Sequence, residues 1–160
     1  MIRRATPADV PAMVALVHEL AEYERASEQC HLTVEQLHGA LFGPAPALYA
    51  HVAQRDSEIV GCAIWFLNFS TWTGTHGIYL EDLYVRPRAR GLGLGKRLLV
   101  ELAREAVANG YHRVAWSVLD WNTPSIDFYK SLGAEPQSEW IGYRLSGEAL
   151  HRLAGGHSES

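Results

Sequence analysis

The stretch RPRARGLGLGKRLL, residues 86–99, decides how the rest of the chain is read. Gly91, Gly93 and Gly95 stand at every second position among basic residues, and the leucines that follow fall at helical spacing. A glycine-rich turn that opens a helix suits a phosphate. The missing side chains let the backbone approach an anion, and the helix N-terminus meets it with unpaired N–H groups and a partial positive charge. Two common phosphate patterns fail here. A dinucleotide fingerprint GxGxxG starting at Gly91 needs glycine where Lys96 stands. An ATP loop GxxxxGK[ST] is satisfied at Gly95 and Lys96 but meets Arg90 and Arg97 at its two ends. What does fit is Arg-x-x-Gly-x-Gly, at Arg90, Gly93 and Gly95. The competing explanation is a plain strand-to-helix turn with surface arginines.

Bulk properties narrow the classes. A chain of 160 residues with 48% hydrophobic content suits one domain with a real core. The longest apolar run, Cys62 to Leu67, is far too short to span a membrane, and MIRRATPADV lacks the apolar segment of a signal peptide. The expectation is a soluble, cytoplasmic protein with no membrane partner. Cys30 and Cys62 form no CxxC, and the eight histidines form no HExxH, so neither a disulfide framework nor a metal is expected. Arg86, Arg88, Arg90, Lys96 and Arg97 crowd one segment, yet the net charge is -4. A nucleic-acid binder carries a wider basic footprint. The cluster is therefore assigned to one small polyanion.

Along the chain, the pattern predicts a short strand at 1–5 and a helix opened by Thr6, Pro7 and Asp9. A second helix follows, with Thr33 and Gln36 as its capping pair and Gly43 as its stop. Residues 48–69 read as a hairpin turning at RDSE, STWTGTHG as a loop, and IYLEDLYV (78–85) as a strand stopped by Pro87. After the glycine turn come a helix to about Asn109-Gly110, a strand at 112–119, a helix with a Thr-Pro entry stopped by Gly133, and a last strand at 140–146. That order predicts an α/β or α+β fold, a single domain over 1–154 with helices on both faces of one mixed sheet. Residues 155–160 read as a disordered tail.

Two patches flanking the turn carry chemistry. In YLEDLYV, Glu81 and Asp82 are adjacent, so a regular strand points them to opposite faces unless a bulge re-aims one. A carboxylate there can attract an ammonium and accept its proton; otherwise the pair solvates a strand edge. In LDWNTPSIDFYKSLGA, Asn122 ends a strand and Tyr129 sits on the following helix. A phenol of pKa near ~10 is neutral at pH 7 and can serve as a general acid. The alternative for Tyr129 is a core aromatic beside Phe128.

With these pieces placed, the chain resembles the GCN5-related N-acetyltransferases (GNAT), and within them the diamine (spermidine/spermine) acetyltransferases. The matching pieces run in order from IRRATPADV through ELAEYE, STWTG, IYLEDLYV, RGLGLGKRLL, VLDWN and FYKSLGA to GEALHRLA. The resemblance implies a sheet of about six or seven strands with about four helices and a cleft between two splayed central strands. It implies acetyl-CoA as donor and a small-molecule primary amine as acceptor, joined by direct attack in a ternary complex. It places the donor on Leu83, Tyr84 and Val85, on the turn formed by Arg90, Gly91, Leu92, Gly93, Leu94, Gly95 and Lys96, and on Asn122, Ser125 and Lys130. By the same resemblance Tyr129 is the general acid and Glu81 the acceptor's base, through a water. Glu81 and Asp82 then face the acceptor; from the residues themselves, Glu24 after the first helix can meet a distant positive end of it and Trp72 can wall an alkylammonium, against solvated helix-end charge and core or dimer packing as the competing readings. Family members of this kind imply a homodimer, with the C-terminal strand near its interface.

One departure bears on the acceptor. Polyamine-preferring members carry an acidic residue shortly before the tryptophan matching Trp72, where this chain has Ser70-Thr71. STW together with VLDWN is closer to the thialysine acetyltransferase branch, whose substrates are lysine-like amino acids. Two other readings use the same residues: a protein or peptide acetyltransferase, and a non-catalytic acyl-CoA sensor.

Overall fold

The computed structural model describes residues 1–155 and divides into two compact units, Met1–Leu119 and the part from Asp120 onward. In the first unit β1 (Ile2–Arg4) leads through a 3-10 turn at Pro7–Asp9 into α1 (Val10–Tyr23). The entry is held by Asp9. Its carboxylate accepts the Thr6 N–H at 2.7 Å and a two-pronged pair from Arg3 at 2.7 and 2.9 Å. The Arg3 hydrogen bonds keep this buried carboxyl below its usual range. α2 (Val34–Phe42) has the expected reciprocal cap, Thr33 with Gln36, and Gly43 follows its last residue.

β2 (Tyr49–Arg55) and β3 (Glu58–Ser70) form the expected hairpin. Asp56 and Ser57 both take positive φ, 52° and 67°, the mirror-image turn that matches the twist of paired strands. β4 (Thr75–Val85) begins earlier than the sequence pattern predicts. Ser70 pairs directly with Thr75, so a tight turn with Gly74 at φ 72° replaces most of the expected loop. A 3-10 turn at Pro87–Ala89 then precedes α3 (Leu94–Ala108). β5 is only Val114–Ala115, although a strand over 112–119 was expected.

The sheet runs in the order β1-β2-β3-β4-β5, antiparallel except for the β4–β5 pair. It thus has five strands among the described residues, against the six or seven implied by the resemblance. β3 is buried continuously from Ile59 to Trp65 because both faces of the sheet are covered. α1 and α2 close one face with Met13, Leu16, Leu20, Leu37 and Leu41 against Val52, Cys62, Ile64 and Tyr84. α3 packs across all five strands, burying Leu98, Leu99 and Leu102. Each such side chain contributes about 1.5–3 kcal/mol.

The second unit contains α4 (Thr123–Ser131) and α5 (Gly147–Gly155). The described residues therefore hold five α-helices, where the resemblance implied about four. The expected strand at 140–146 is not formed, and Trp140, Ile141 and Tyr143 are exposed. Of the expected tail, Gly155 closes α5 and residues 156–160 lie outside the described residues. No described helix is long and apolar enough to cross a membrane.

Candidate active site

The register of β4 against β3 breaks at the predicted acidic pair. Ile64 is opposite Asp82 and the next residue, Trp65, is opposite Leu80, so Glu81 is the extra residue of a bulge. Opposed residues share a face of the sheet. Leu80 therefore lies on the Trp65 side, while Asp82 lies with Ile64 and, one step on, Tyr84 with Cys62 on the α1 side. Glu81 remains exposed. Burial pushes the Asp82 carboxyl up to about 6, and the charges of Glu81 and Glu24 add to the shift. Glu24 follows the last residue of α1, and partial burial raises its carboxyl as well. The structure thus brings Glu24, Glu81 and Asp82 within electrostatic reach of one another.

Beyond the bulge, β4 has one open edge. Its parallel ladder with β5 consists of Ile78 with Val114 and Tyr79 with Ala115, and ends there. A splay of two central strands was expected; among the described residues β5 is instead the edge of the sheet, and its ladder with β4 stops after two pairs. The Arg86 N–H donates to the Val60 carbonyl at 2.8 Å, so by antiparallel alternation Tyr84 also turns its backbone groups toward β3. Leu83 and Val85 turn theirs to the open edge. The Val85 carbonyl already accepts from Arg90 Nε at 2.9 Å. Of the three residues expected to offer backbone groups there, Leu83 offers both, Val85 its N–H, and Tyr84 neither.

The open edge runs into the glycine turn. Gly91 and Gly93 take φ of 83° and 73°, conformations that side chains disfavour. The first backbone bond of α3 is Arg97 N–H to the Gly93 carbonyl at 3.0 Å, leaving the N–H groups of Leu94, Gly95 and Lys96 ahead of the helical ladder. A Cβ on Gly91, Gly93 or Gly95 would meet nothing within 4 Å, so a space borders all three. Leu92 is exposed and Leu94 buried, which anchors the helix start. Lys96 is exposed and enters no ion pair among the described residues. Backbone donors, a helix N-terminus and a lone cation fit a diphosphate.

The arginine crowding has a different cause from the one expected. Arg86 pairs with Glu19 at 3.1 Å and Glu58 at 3.2 Å, and Arg88 also pairs with Glu58. The Arg90 guanidinium lies over the rings of Tyr23 and Tyr84, at 5.7 and 5.6 Å. Three of the five basic residues are thus held by the protein itself. Glu19 and Tyr23 were not singled out from sequence, because their partners lie far along the chain.

On the second unit, α4 starts at Asn122, whose side-chain oxygen accepts the Ser125 N–H at 3.4 Å. Asn122 and Ser125 thus form a helix cap, and Asn122 is buried. Tyr129, half-buried, packs against Phe128 with ring centroids 5.6 Å apart, and Lys130 stands exposed in the last turn. Trp72 is at the tip of the β3–β4 hairpin, 90% exposed. At about 3.4 Å per residue, β4 from Thr75 to Glu81 separates that tip from the bulge by about 20 Å. Trp72 is therefore not brought to the acidic cluster of its own chain. The described residues contain no cluster of metal-ligating side chains.

Comparison with known proteins adds independent findings. A model described as the Acetyltransferase (GNAT) family matches residues 13–134. A thialysine N-epsilon-acetyltransferase of Bos taurus is 38% identical, over 97% of each chain. An L-ornithine acetyltransferase of Arabidopsis thaliana is 30% identical over 95% of this chain and 86% of its own. Among solved structures, an integron cassette protein of V. cholerae superposes with a TM-score of 0.81 and 26% identity, covering 96% of both chains. An aminoglycoside acetyltransferase from a soil metagenome gives 0.76 at 22% identity, covering 91% of this chain and 96% of its own.

Proposed function

Because the chain belongs to the GNAT family and is an N-acetyltransferase, we propose that it carries an acetyl group from acetyl-CoA to the primary amine of a lysine- or ornithine-like amino acid. The observation that carries this reading is continuity. The open edge of β4 starts at the acidic bulge and ends in the positive-φ turn, so a donor laid along it points its acetyl end at Glu81 and Asp82 and its phosphates at α3. The donor supplies an activated thioester. The chain does the rest. Leu83 and Val85 offer backbone groups to the donor's arm, with Leu83 N–H able to polarise the thioester carbonyl. The N–H groups around Gly91–Lys96 and the Lys96 ammonium take the diphosphate. Asn122, Ser125 and Lys130 add contacts from α4.

In the transfer, the amine nitrogen bonds to the carbonyl carbon as the carbon–sulfur bond breaks. Glu81, through a water, takes the proton the ammonium must lose before attack; Tyr129 gives its phenol proton to the thiolate, and the second N–H proton, released as the amide forms, passes through water to restore the phenol. Glu24 and Asp82 hold the cationic acceptor. A second assignment has its own support. Asp82, pushed up to about 6, is better poised than an ordinary carboxyl to exchange a proton near neutrality. The relatives named for thialysine and ornithine favour a compact amino acid over a long polyamine. The family match crosses from one compact unit into the other, which supports one catalytic domain over 1–154. Exposed Trp140, Ile141 and Tyr143 favour a homodimer in which a second copy covers them.

The test is CoA thiol release with thialysine, lysine, ornithine, putrescine, spermidine and simple monoamines. Thialysine or ornithine should give the highest kcat/KM. Turnover with none of them, alongside acetylation of peptides, would replace the small-molecule reading.

A further inference from the structure

The side chains behind the glycine turn form a connected set that the transfer chemistry does not use. Glu19, on the third turn of α1, accepts from the Tyr84 hydroxyl at 3.3 Å and from Arg86 Nε at 3.1 Å. Tyr23, one turn further along the same helix, presents its ring to the Arg90 guanidinium, and Tyr84 presents a second ring to it. Arg90 Nε donates to the Val85 carbonyl. The end of β4, the turn and the C-terminal half of α1 are therefore fastened at Glu19, Tyr84 and Arg90.

We propose that Arg90 is a positioning residue, clamped by Tyr23, Tyr84 and the Val85 carbonyl so that it sets the entry of the glycine turn and the edge of β4 instead of touching the donor's phosphates. The inference rests on the donor reading above. Its physical basis is the shape of the guanidinium. A flat guanidinium can stack on rings while its Nε–H, fixed in the same plane, meets a carbonyl; a lysine ammonium is a point charge on a flexible stem with no plane to stack and no donor at the Nε position. Direct phosphate contact needs charge, which lysine keeps. Positioning needs the planar fork, which lysine lacks. Glu24 directly follows Tyr23 at the end of α1, so the segment that seats the donor turn leads straight into a carboxylate assigned above to the acceptor.

The experiment compares wild type, Arg90→Lys, Tyr23→Leu and the double variant, using acetyl-CoA and acetyl-pantetheine, a donor without the diphosphate. Both positions are at the surface, so the core is untouched. Arg90→Lys is expected to raise the KM for acetyl-CoA about tenfold with kcat little changed, the size of a lost charged hydrogen bond and ring contact. Tyr23→Leu should raise it by about threefold, and the double variant should be no worse than Arg90→Lys alone. The same proportional loss in kcat/KM should persist with acetyl-pantetheine, because the Val85 edge is disturbed whichever donor is used. Full activity of Arg90→Lys, strictly additive effects, or a loss confined to acetyl-CoA would overturn the inference. A wild-type protein that transfers from neither donor would overturn the donor reading itself.

Discussion

Glu81 and Asp82 are neighbours in the chain, but in the sheet Asp82 has an opposite residue, Ile64, and Glu81 has none. The bulge that separates them sends one carboxyl into a buried setting and leaves the other exposed. Their chemistry differs for that reason, and mutations should tell them apart.

The raised Asp82 carboxyl makes the stability of the fold depend on pH. Its carboxyl is raised to about 6 when folded, against about 4 in an unfolded chain. The native state therefore binds the extra proton, and the associated stability is fully present below about pH 4 and lost as the pH rises through about 6. At pH 7.5 the folded chain carries a mostly buried negative charge beside Glu81 and Glu24. Asp82→Asn is predicted to raise stability at pH 7.5 by the order of 1–3 kcal/mol and to change it little at pH 4. Thermal melts at the two pH values check this. The same variant should bind a cationic acceptor poorly, so stability and activity move in opposite directions.

The pH profile of kcat/KM identifies the proton acceptor. If Asp82 accepts the proton, wild-type activity falls as the pH drops through about 6, and Asp82→Asn abolishes that limb. If Glu81 accepts it through water, Glu81→Gln loses about 10²–10⁴-fold of kcat while Asp82→Asn mainly raises the acceptor KM.

Tyr129→Phe removes one hydroxyl and keeps the ring against Phe128. Turnover should fall about 10²–10⁴-fold with affinity for acetyl-CoA retained, as measured by calorimetry alongside the thiol-release assay. Undiminished turnover would return Tyr129 to a packing role.

Local chemistry was legible in the sequence where a signal and its consequence lie close together. Thr33, Gln36 and Gly43 bound α2 as read, and RDSE turns the hairpin as read, because caps and turns are set by residues a few positions apart. The turn at Gly91 and Gly93 was legible for the same reason. The bulge was foreseen only as a possibility, because register depends on β3. The arginines were assigned to a ligand because Glu19 and Glu58, which pair with Arg86, lie 67 and 28 positions away from it. The strand pattern at 140–146 forms no ladder, since alternation describes a strand's faces and says nothing about its neighbour.

Gly95 offers the most direct test of the central claim that the turn holds the donor's diphosphate. Its φ is ordinary, and apart from its chain neighbours and its own helix backbone a Cβ there meets no atom within 4 Å. In the free protein, Gly95→Ala should be neutral or stabilising by up to about 0.5–1 kcal/mol. The added methyl would enter the space where the phosphates approach the backbone. Calorimetric titration of CoA into wild type and Gly95→Ala decides the matter. CoA should bind wild type tightly and Gly95→Ala at least about tenfold more weakly, although the variant melts no lower. Equal affinity of the two proteins for CoA would contradict it.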